Sequence, residues 1–329
     1  MGSLPHHTMA TWCDIVTTHK VLDWAAYAFR TFVLQQVRPY LFGLVITDEC
    51  NLNCFYCKSK NTGLIRFTFE DACHTLKVAY RKGHRALFIT GGEPTVWHEA
   101  GKGLRDLVDI ANRTGFNEIL VYSNGTNPLD IIACKYSITI DGPRDVHNRI
   151  RSQSFDRILD NVANSENGSI FASFTVTRAN AAHLEETIRA IADTGLFRGI
   201  QFNLLTDTPD IVGRYGVHPT QRRHVLDRIW QMKQQGYPIE LSRSAYLALL
   251  KNDWPRPVRQ IEIATPERVF TCCRDVDNPS VCEHCGYVSC AEISQVLALK
   301  PSAIWQVVKM SGIGNNKPVD PSRRAIRAD

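Results

Sequence analysis

From Leu41 to about Gly236 the chain repeats one unit, a short β-branched apolar run followed by a longer amphipathic stretch. Short apolar runs that give way to helical spacing describe buried strands joined by covering helices, which is a parallel sheet. The runs predict strands at Leu41–Thr47, Arg85–Thr90, Glu118–Ser123, Tyr136–Asp141, Ile170–Thr177 and Gly199–Leu205. The amphipathic stretches predict helices at Thr68–Lys82, Glu99–Thr114, Ser154–Ser165, Ala182–Thr194 and His218–Gln235, with a short crossover near Leu129–Cys134. Six units are too few to close an eight-unit barrel. The expectation is therefore an α/β fold, a partial (β/α)6 TIM-like barrel, with ligands at the C-terminal ends of its strands.

Outside the repeat the pattern changes. Ahead of it Val21, Trp24, Ala25, Ala28, Phe32 and Val33 form a helical stripe; beyond Gly236, Ile261–Cys273 alternates around Thr265 and Pro266 like a hairpin, and an amphipathic helix is expected near Ser302–Met310. The 329 residues thus divide into an N-terminal amphipathic helical segment (1–40), the barrel (41–236), a cysteine-rich C-terminal extension (237–313) and a polar, Arg-bearing tail (314–329) expected to be disordered. The leading helix has two readings. It packs across an end of the barrel, or it makes a peripheral membrane contact in which Lys20, Arg30 and Arg38 attract anionic lipid. No run of about 18 apolar residues predicts a membrane span. Lys and Arg exceed Asp and Glu by 5, unclustered except near the C-terminus, so no nucleic-acid partner is expected.

The chain has 11 cysteines, eight of them in two tight groups. A secreted disulfide scaffold is short and evenly stapled, whereas clustered thiols in a long chain without a signal peptide point to metal binding in a reducing, cytoplasmic compartment. Cys73 and Cys134, isolated in apolar helical stretches, read as buried core thiols. The first group, Cys50-Asn51-Leu52-Asn53-Cys54-Phe55-Tyr56-Cys57, follows the first strand directly. Structural zinc takes four ligands, and no fourth is adjacent. Three thiolates on a four-iron cluster leave one iron free for a chelating substrate.

This loop resembles the radical S-adenosylmethionine (radical SAM) superfamily, whose hallmark is C-x3-C-x-aromatic-C after the first strand of a partial barrel; Tyr56 supplies the aromatic. The resemblance implies a 4Fe-4S cluster on Cys50, Cys54 and Cys57 that binds S-adenosyl-L-methionine and cleaves it to a 5′-deoxyadenosyl radical, with electrons from a donor such as flavodoxin or ferredoxin. The second strand ends in Thr90-Gly91-Gly92-Glu93-Pro94, matching the GGEP segment that meets the methionine amine. Gly91 and Gly92 permit close backbone approach, and the Glu93 carboxylate suits an ammonium. Ser123 and Asn124 after the third strand and Asp141 after the fourth are further candidates for cofactor contact, against the alternative that they only shape turns. Arg149 or Arg151 is a candidate partner for the methionine carboxylate. Ser173, Thr175, Thr177, Gln201 and Asn203 alternate along the last two strands, and some are expected to line a substrate cavity.

The second group, Cys272, Cys273, Cys282, Cys285 and Cys290, offers enough thiols for zinc or a second iron–sulfur cluster. With the preceding hairpin it resembles the C-terminal SPASM and twitch-type extensions of radical SAM enzymes. The overall layout, with a leading amphipathic helix, Tyr237-Pro238-Ile239, Ser242-Arg243-Ser244 and a terminal C-x2-C-Gly-Tyr before an apolar helix, looks like the adenosyl-hopene transferase group, although the thiol set is richer. That resemblance implies radical addition to an alkene of a lipid, isoprenoid or other small molecule. Hydrogen abstraction from a ribosomal peptide is the alternative, made less expected by the lack of a visible leader-peptide domain. A non-catalytic zinc protein braced by both thiol groups is the rival from another class.

Overall fold

The computed structural model describes residues 22–36, 38–57 and 60–311. Lys20, Val21 and the 314–329 tail lie outside the described residues. Six strands run in parallel, β1 (Leu41–Thr47), β2 (Ala86–Gly91), β3 (Glu118–Ser123), β4 (Lys135–Thr139), β5 (Ile170–Val176) and β6 (Ile200–Leu204). A hairpin, β7 (Ile261–Ala264) and β8 (Val269–Thr271), joins the same sheet, giving the order β8-β7-β1-β2-β3-β4-β5-β6. The fold is an α/β partial barrel, with β8 and β6 as its two edges.

The sheet's two faces differ in kind. Leu44, Ile46, Leu87, Ile89, Val121, Ile138, Ala172 and Phe174 are fully buried beneath the helices. Each large one contributes about 1.5–3 kcal/mol through burial. The concave face carries Gly43, Phe88, Tyr122, Ser137, Thr139, Ser173, Thr175, Gln201 and Asn203, aromatic towards β2 and β3 and hydroxyl- or amide-bearing towards β4, β5 and β6. A Cβ on Gly43 would lie 2.2 Å from Phe88 Cζ, so this glycine makes room for the ring.

Local signals set the helix limits. Helix α1 (Phe69–Lys82) starts at Thr68, whose Oγ1 accepts from Asp71 N–H at 3.1 Å, and stops at Gly83 with φ +117°. Its Ala72, Leu76 and Ala79 face inward, and Glu70 and Arg81 complement the helix dipole at opposite ends. The helix expected from Glu99 instead begins at Leu104 (α2, Leu104–Thr114), because Ala100 and Gly101 both take positive φ and turn a two-residue ribbon, His98–Glu99 against Lys102–Gly103. The Leu129–Cys134 crossover contains no helix. Its carbonyls are satisfied from elsewhere, as Ser165 Oγ donates to Leu129 O and Asn167 Nδ2 donates to Ile131 O and Cys134 O, both at 2.8 Å. Cys134 is buried as expected, but Cys73 is only half-buried at the margin of the core, which corrects its reading as a core thiol.

The leading helix, 22–28 continued by a wider π-helical turn Phe29–Val33, lies against the N-terminal ends of the strands. Asp23 accepts from Asn117 Nδ2 at 2.9 Å and lies 3.8 Å from Arg85 Nε; Trp24 and Tyr27 both pack on Tyr40 with ring centroids 4.7 Å apart. Those partners immediately precede β3, β2 and β1, so the helix covers the floor of the barrel. Leu22, Phe29, Val33 and Leu34 remain exposed. No helix among the described residues is long and apolar enough to cross a membrane.

Candidate active site

The cysteine loop follows β1 at the upper end of the sheet, and the ends of β2, β3 and β4 converge beneath it. Gly92 N–H donates to Thr47 O at 2.7 Å and Glu93 N–H to Glu49 O at 2.8 Å, so the two loops are bonded backbone to backbone. A Cβ on Gly91 would lie 2.1 Å from Thr47 O, and one on Gly92 2.3 Å from Glu49 O and 2.4 Å from Asp48 O. The Gly-Gly pair is therefore required for contact with the cysteine loop itself. Gly91 also takes φ +157°, a conformation L side chains rarely adopt.

Glu93 is fully buried and acts as a brace. Its Oε1 accepts from Thr95 N–H (3.0 Å), Thr95 Oγ1 (2.7 Å) and Ser123 Oγ (2.8 Å), and its Oε2 accepts from Asn124 N–H (2.6 Å). Burial pushes the carboxyl's pKa up, against the pull of those donors. Asn124 extends the brace to the thiols, since its Nδ2 donates to Asn51 Oδ1 at 2.8 Å and lies 3.9 Å from Cys50 Sγ. Thr126 Oγ1 accepts from Asn51 Nδ2 at 2.9 Å and donates to Asn124 Oδ1 at 2.7 Å.

On the opposite side, Tyr56 donates its hydroxyl hydrogen to Asp141 Oδ2 at 2.6 Å, while Arg151 Nη1 reaches Tyr56 Oη at 3.0 Å and Asp141 Oδ2 at 2.9 Å. Asp141 Oδ1 accepts from Thr175 N–H at 3.0 Å. All three side chains are shielded from solvent, and the Arg151 Nε has no partner. Arg149 is exposed, so the structure separates the two arginines. Arg151 stands one helical turn after His147, whose Nδ1 accepts from Asp141 N–H at 3.1 Å, and both therefore face the end of β4. The sequence reading did not single out Asn51, whose amide ties the loop to β3, or Ser152, whose Oγ accepts from Asn53 N–H at 3.1 Å. Neither carries a sequence signal beyond its polarity.

Burial raises the pKa of the Cys50 and Cys54 thiols, and the Arg151 guanidinium opposes it at both. As they stand, no three His, Cys, Asp or Glu side chains among the described residues are grouped to hold a metal ion. One ion needs its ligands around one point, whereas a four-iron cluster takes each thiolate on a different iron. Three thiols on a single loop beside a buried cation suit the latter donor set. Of the five C-terminal cysteines, Cys272, Cys273, Cys282 and Cys285 line one small cavity, and Cys290 interacts with Cys272 and Cys285, without the thiols closing into a three-ligand group among the described residues.

Residues 44–177, which run from within β1 to just past β5 and include the cysteine loop, Glu93, Asn124, Asp141 and Arg151, match the Radical SAM superfamily. This stretch is thus similar to a radical SAM domain, which supports an enzyme, and the family implies S-adenosylmethionine and a 4Fe-4S cluster. A probable GTP 3′,8-cyclase of Sulfurisphaera tokodaii is 23% identical over 62% of this chain and 66% of its own length. SkfB, a sporulation killing factor maturation protein of Bacillus subtilis, is 22% identical over 50% of this chain and 42% of its own. The chain thus spans less than two thirds of the length of these curated relatives. Among solved structures, SuiB of Streptococcus suis superposes with a TM-score of 0.56 at 13% identity, covering 74% of this chain and 62% of that one. The protein anSMEcpe, with bound AdoMet and a Cp18Cys peptide, gives 0.53 at 16% identity over 83% and 84%. At these identities the structural likeness concerns the fold.

Proposed function

We propose that Cys50, Cys54 and Cys57 hold the 4Fe-4S cluster of a radical SAM enzyme acting on a small-molecule or lipid substrate. When bound, that cluster supplies the electron that splits S-adenosylmethionine to methionine and a 5′-deoxyadenosyl radical. The observation that carries the reading is the cup: one three-thiol loop gripped from below by Gly91, Gly92, Glu93, Ser123 and Asn124 and from the side by Asp141 and Arg151. Glu93, Ser123 and Asn124 fix where the loop stands, so that the thiols face the barrel mouth in a constant arrangement. Tyr56, Asp141 and Arg151 place a shielded cation beside Cys54, which favours the thiolate needed for iron binding. Arg151 is the better-placed partner for the methionine carboxylate because it retains an unbonded, buried Nε.

The concave face supports an uncharged substrate. Between the paired Glu118 and Lys135 at its floor and Asp141 at its rim, it presents the Phe88 and Tyr122 rings opposite neutral hydroxyls and amides. An apolar or weakly polar molecule that offers an alkene to the radical fits these walls. Peptide modification is the second reading, favoured by the likeness to SkfB and to SuiB, which was solved with precursor peptide SuiA. We read 41–236 as the catalytic barrel and 237–313 as a SPASM- or twitch-like extension binding zinc or a second cluster, in a layout like that of adenosyl-hopene transferases. We read the compartment as reducing and cytoplasmic from the clustering of the thiols in two tight groups.

Anaerobic reconstitution with iron and sulfide, followed by S-adenosylmethionine and dithionite, is expected to release 5′-deoxyadenosine. Cys54→Ala should abolish that product and Cys282→Ala should retain it. Full cleavage by Cys54→Ala would refute the cluster assignment. Deuterium transfer or an adenosyl adduct, detected by mass spectrometry with candidate lipids and peptides, separates the two substrate readings.

A further inference from the structure

The six-strand sheet leaves two free edges, and the C-terminal cysteines lie between them. On one edge, β7 pairs in parallel with β1, β8 pairs with β7, and Cys272, the residue after β8, donates its N–H to Ile261 O at 2.8 Å. On the other, residues 286–288 attach to β6. Leu204 N–H donates to Gly286 O at 3.1 Å, Gly286 N–H to Thr206 Oγ1 at 2.8 Å, and Val288 N–H to Asn203 Oδ1 at 3.0 Å. A Cβ on Gly286 would lie 2.5 Å from Leu204 O, so only glycine permits this approach.

Between those attachments the side-chain path runs through sulfur, from Cys285 to Cys290 to Cys272. A cavity of about 10 Å³, room for one water-sized particle, lies among Cys272, Cys273, Cys282, Cys285 and Arg256. Arg256 holds its rim by donating to Cys282 O at 3.0 and 2.8 Å. Arg222 holds the adjoining turn by donating to Cys285 O at 2.9 Å. Cys290 is buried, and Val288, two residues before it on the same helix, donates to Asn203 on the concave face, so the seam also adjoins the barrel interior.

We propose that this thiol group is a metal-dependent clasp: occupancy by a thiophilic metal fastens the β8 edge to the β6 edge and closes the side of the barrel. The proposal rests on the metal-binding reading of the C-terminal extension and adds what the metal does there. Each thiolate–metal bond replaces a weak S–H···S contact, and ligands from the post-β8 turn, the Cys282–Cys285 turn and the helix bearing Cys290 become joined through one centre. The two sources of that chemistry are zinc alone and iron with sulfide.

The test uses the full chain carrying Cys50→Ala, Cys54→Ala and Cys57→Ala, so that only the C-terminal group binds. It is loaded anaerobically with zinc(II) or with iron plus sulfide, and metal content and backbone hydrogen exchange are measured against the metal-free protein. In the arm that binds, the amides of Leu204, Cys272 and Gly286 should exchange at least tenfold more slowly, with those of β2 unchanged, and Cys290→Ser should remove the effect. Should that variant misfold, Cys272→Ser on the half-buried turn serves in its place. Stoichiometric metal with unchanged exchange at these amides overturns the clasp while leaving the metal reading intact. Failure of both arms to bind overturns both.

Discussion

The hydroxyl of Tyr56 lies 2.6 Å from Asp141 Oδ2, bonding the aromatic of the cysteine loop to the end of the fourth barrel strand. Arg151 completes the group from within the protein, its side chain about as buried as the pair it serves. Tyr56→Phe removes one donor and leaves Asp141 its bonds to Arg151 and Thr175; we expect a loss of about 1–2 kcal/mol. Arg151→Met leaves a buried carboxylate without its cation and should cost about 3–5 kcal/mol. Urea unfolding of the metal-free protein measures both, and equal effects would contradict the arrangement.

Gly92→Ala drives a methyl group into the carbonyls of Asp48 and Glu49. The cysteine loop must move, at a cost of about 1–3 kcal/mol, as in other overpacked sites. Gly213→Ala is the control, since a Cβ there meets nothing within 4 Å and the residue lies in the helix Pro209–Tyr215. We expect the control to keep or slightly raise the melting temperature and to load iron normally, and Gly92→Ala to lose both stability and iron.

His147 carries a downward shift in pKa, to about 4, caused first by burial and then by the nearby Arg151 charge. Above about pH 6.5 the ring is neutral in both folded and unfolded chains. As pH falls from there towards 4, the unfolded chain takes up a proton that the folded ring refuses, so stability should drop by about 3 kcal/mol. His147→Gln should flatten this acid limb of the stability profile.

Glu292 shows the opposite sign. Burial raises its carboxyl to about 7, although Oε1 accepts from Ser242 N–H at 2.6 Å. Below about pH 4.5 it is neutral in both states; as pH rises to 7 the unfolded chain ionises first, and stability should fall by about 3 kcal/mol across that window. Denaturation midpoints of Glu292→Gln at pH 5 and pH 8 should differ less than those of the parent protein.

The six strands were legible in the sequence because each is buried on at least one face and reads as an apolar run; β1 and β3 match to the residue. The short crossover near Leu129–Cys134 was legible too, but the bonds that hold it were not, since they come from Ser165 and Asn167 more than thirty positions away. The helix Arg243–Lys251 was missed. Its only local mark is Ser242, whose Oγ accepts from Ala245 N–H at 3.0 Å. In the candidate site, Cys50, Cys54, Cys57, Gly91, Gly92 and Glu93 stood out by spacing. The choice of Arg151 over Arg149 needed the turn that follows His147, and the approach of Cys272 to Cys290 needed the whole sheet between them.

The leading helix sits below β1, β2 and β3, while the cysteine loop opens above them. Seven residues of β1 separate the two levels, a span of about 20 Å at strand spacing. Anything gripped by Phe29 and Val33 would therefore face the reverse side of the molecule from the thiols. On the proposed function, a surface held by the leading helix and a reaction begun at the thiols would be stationed at opposite poles.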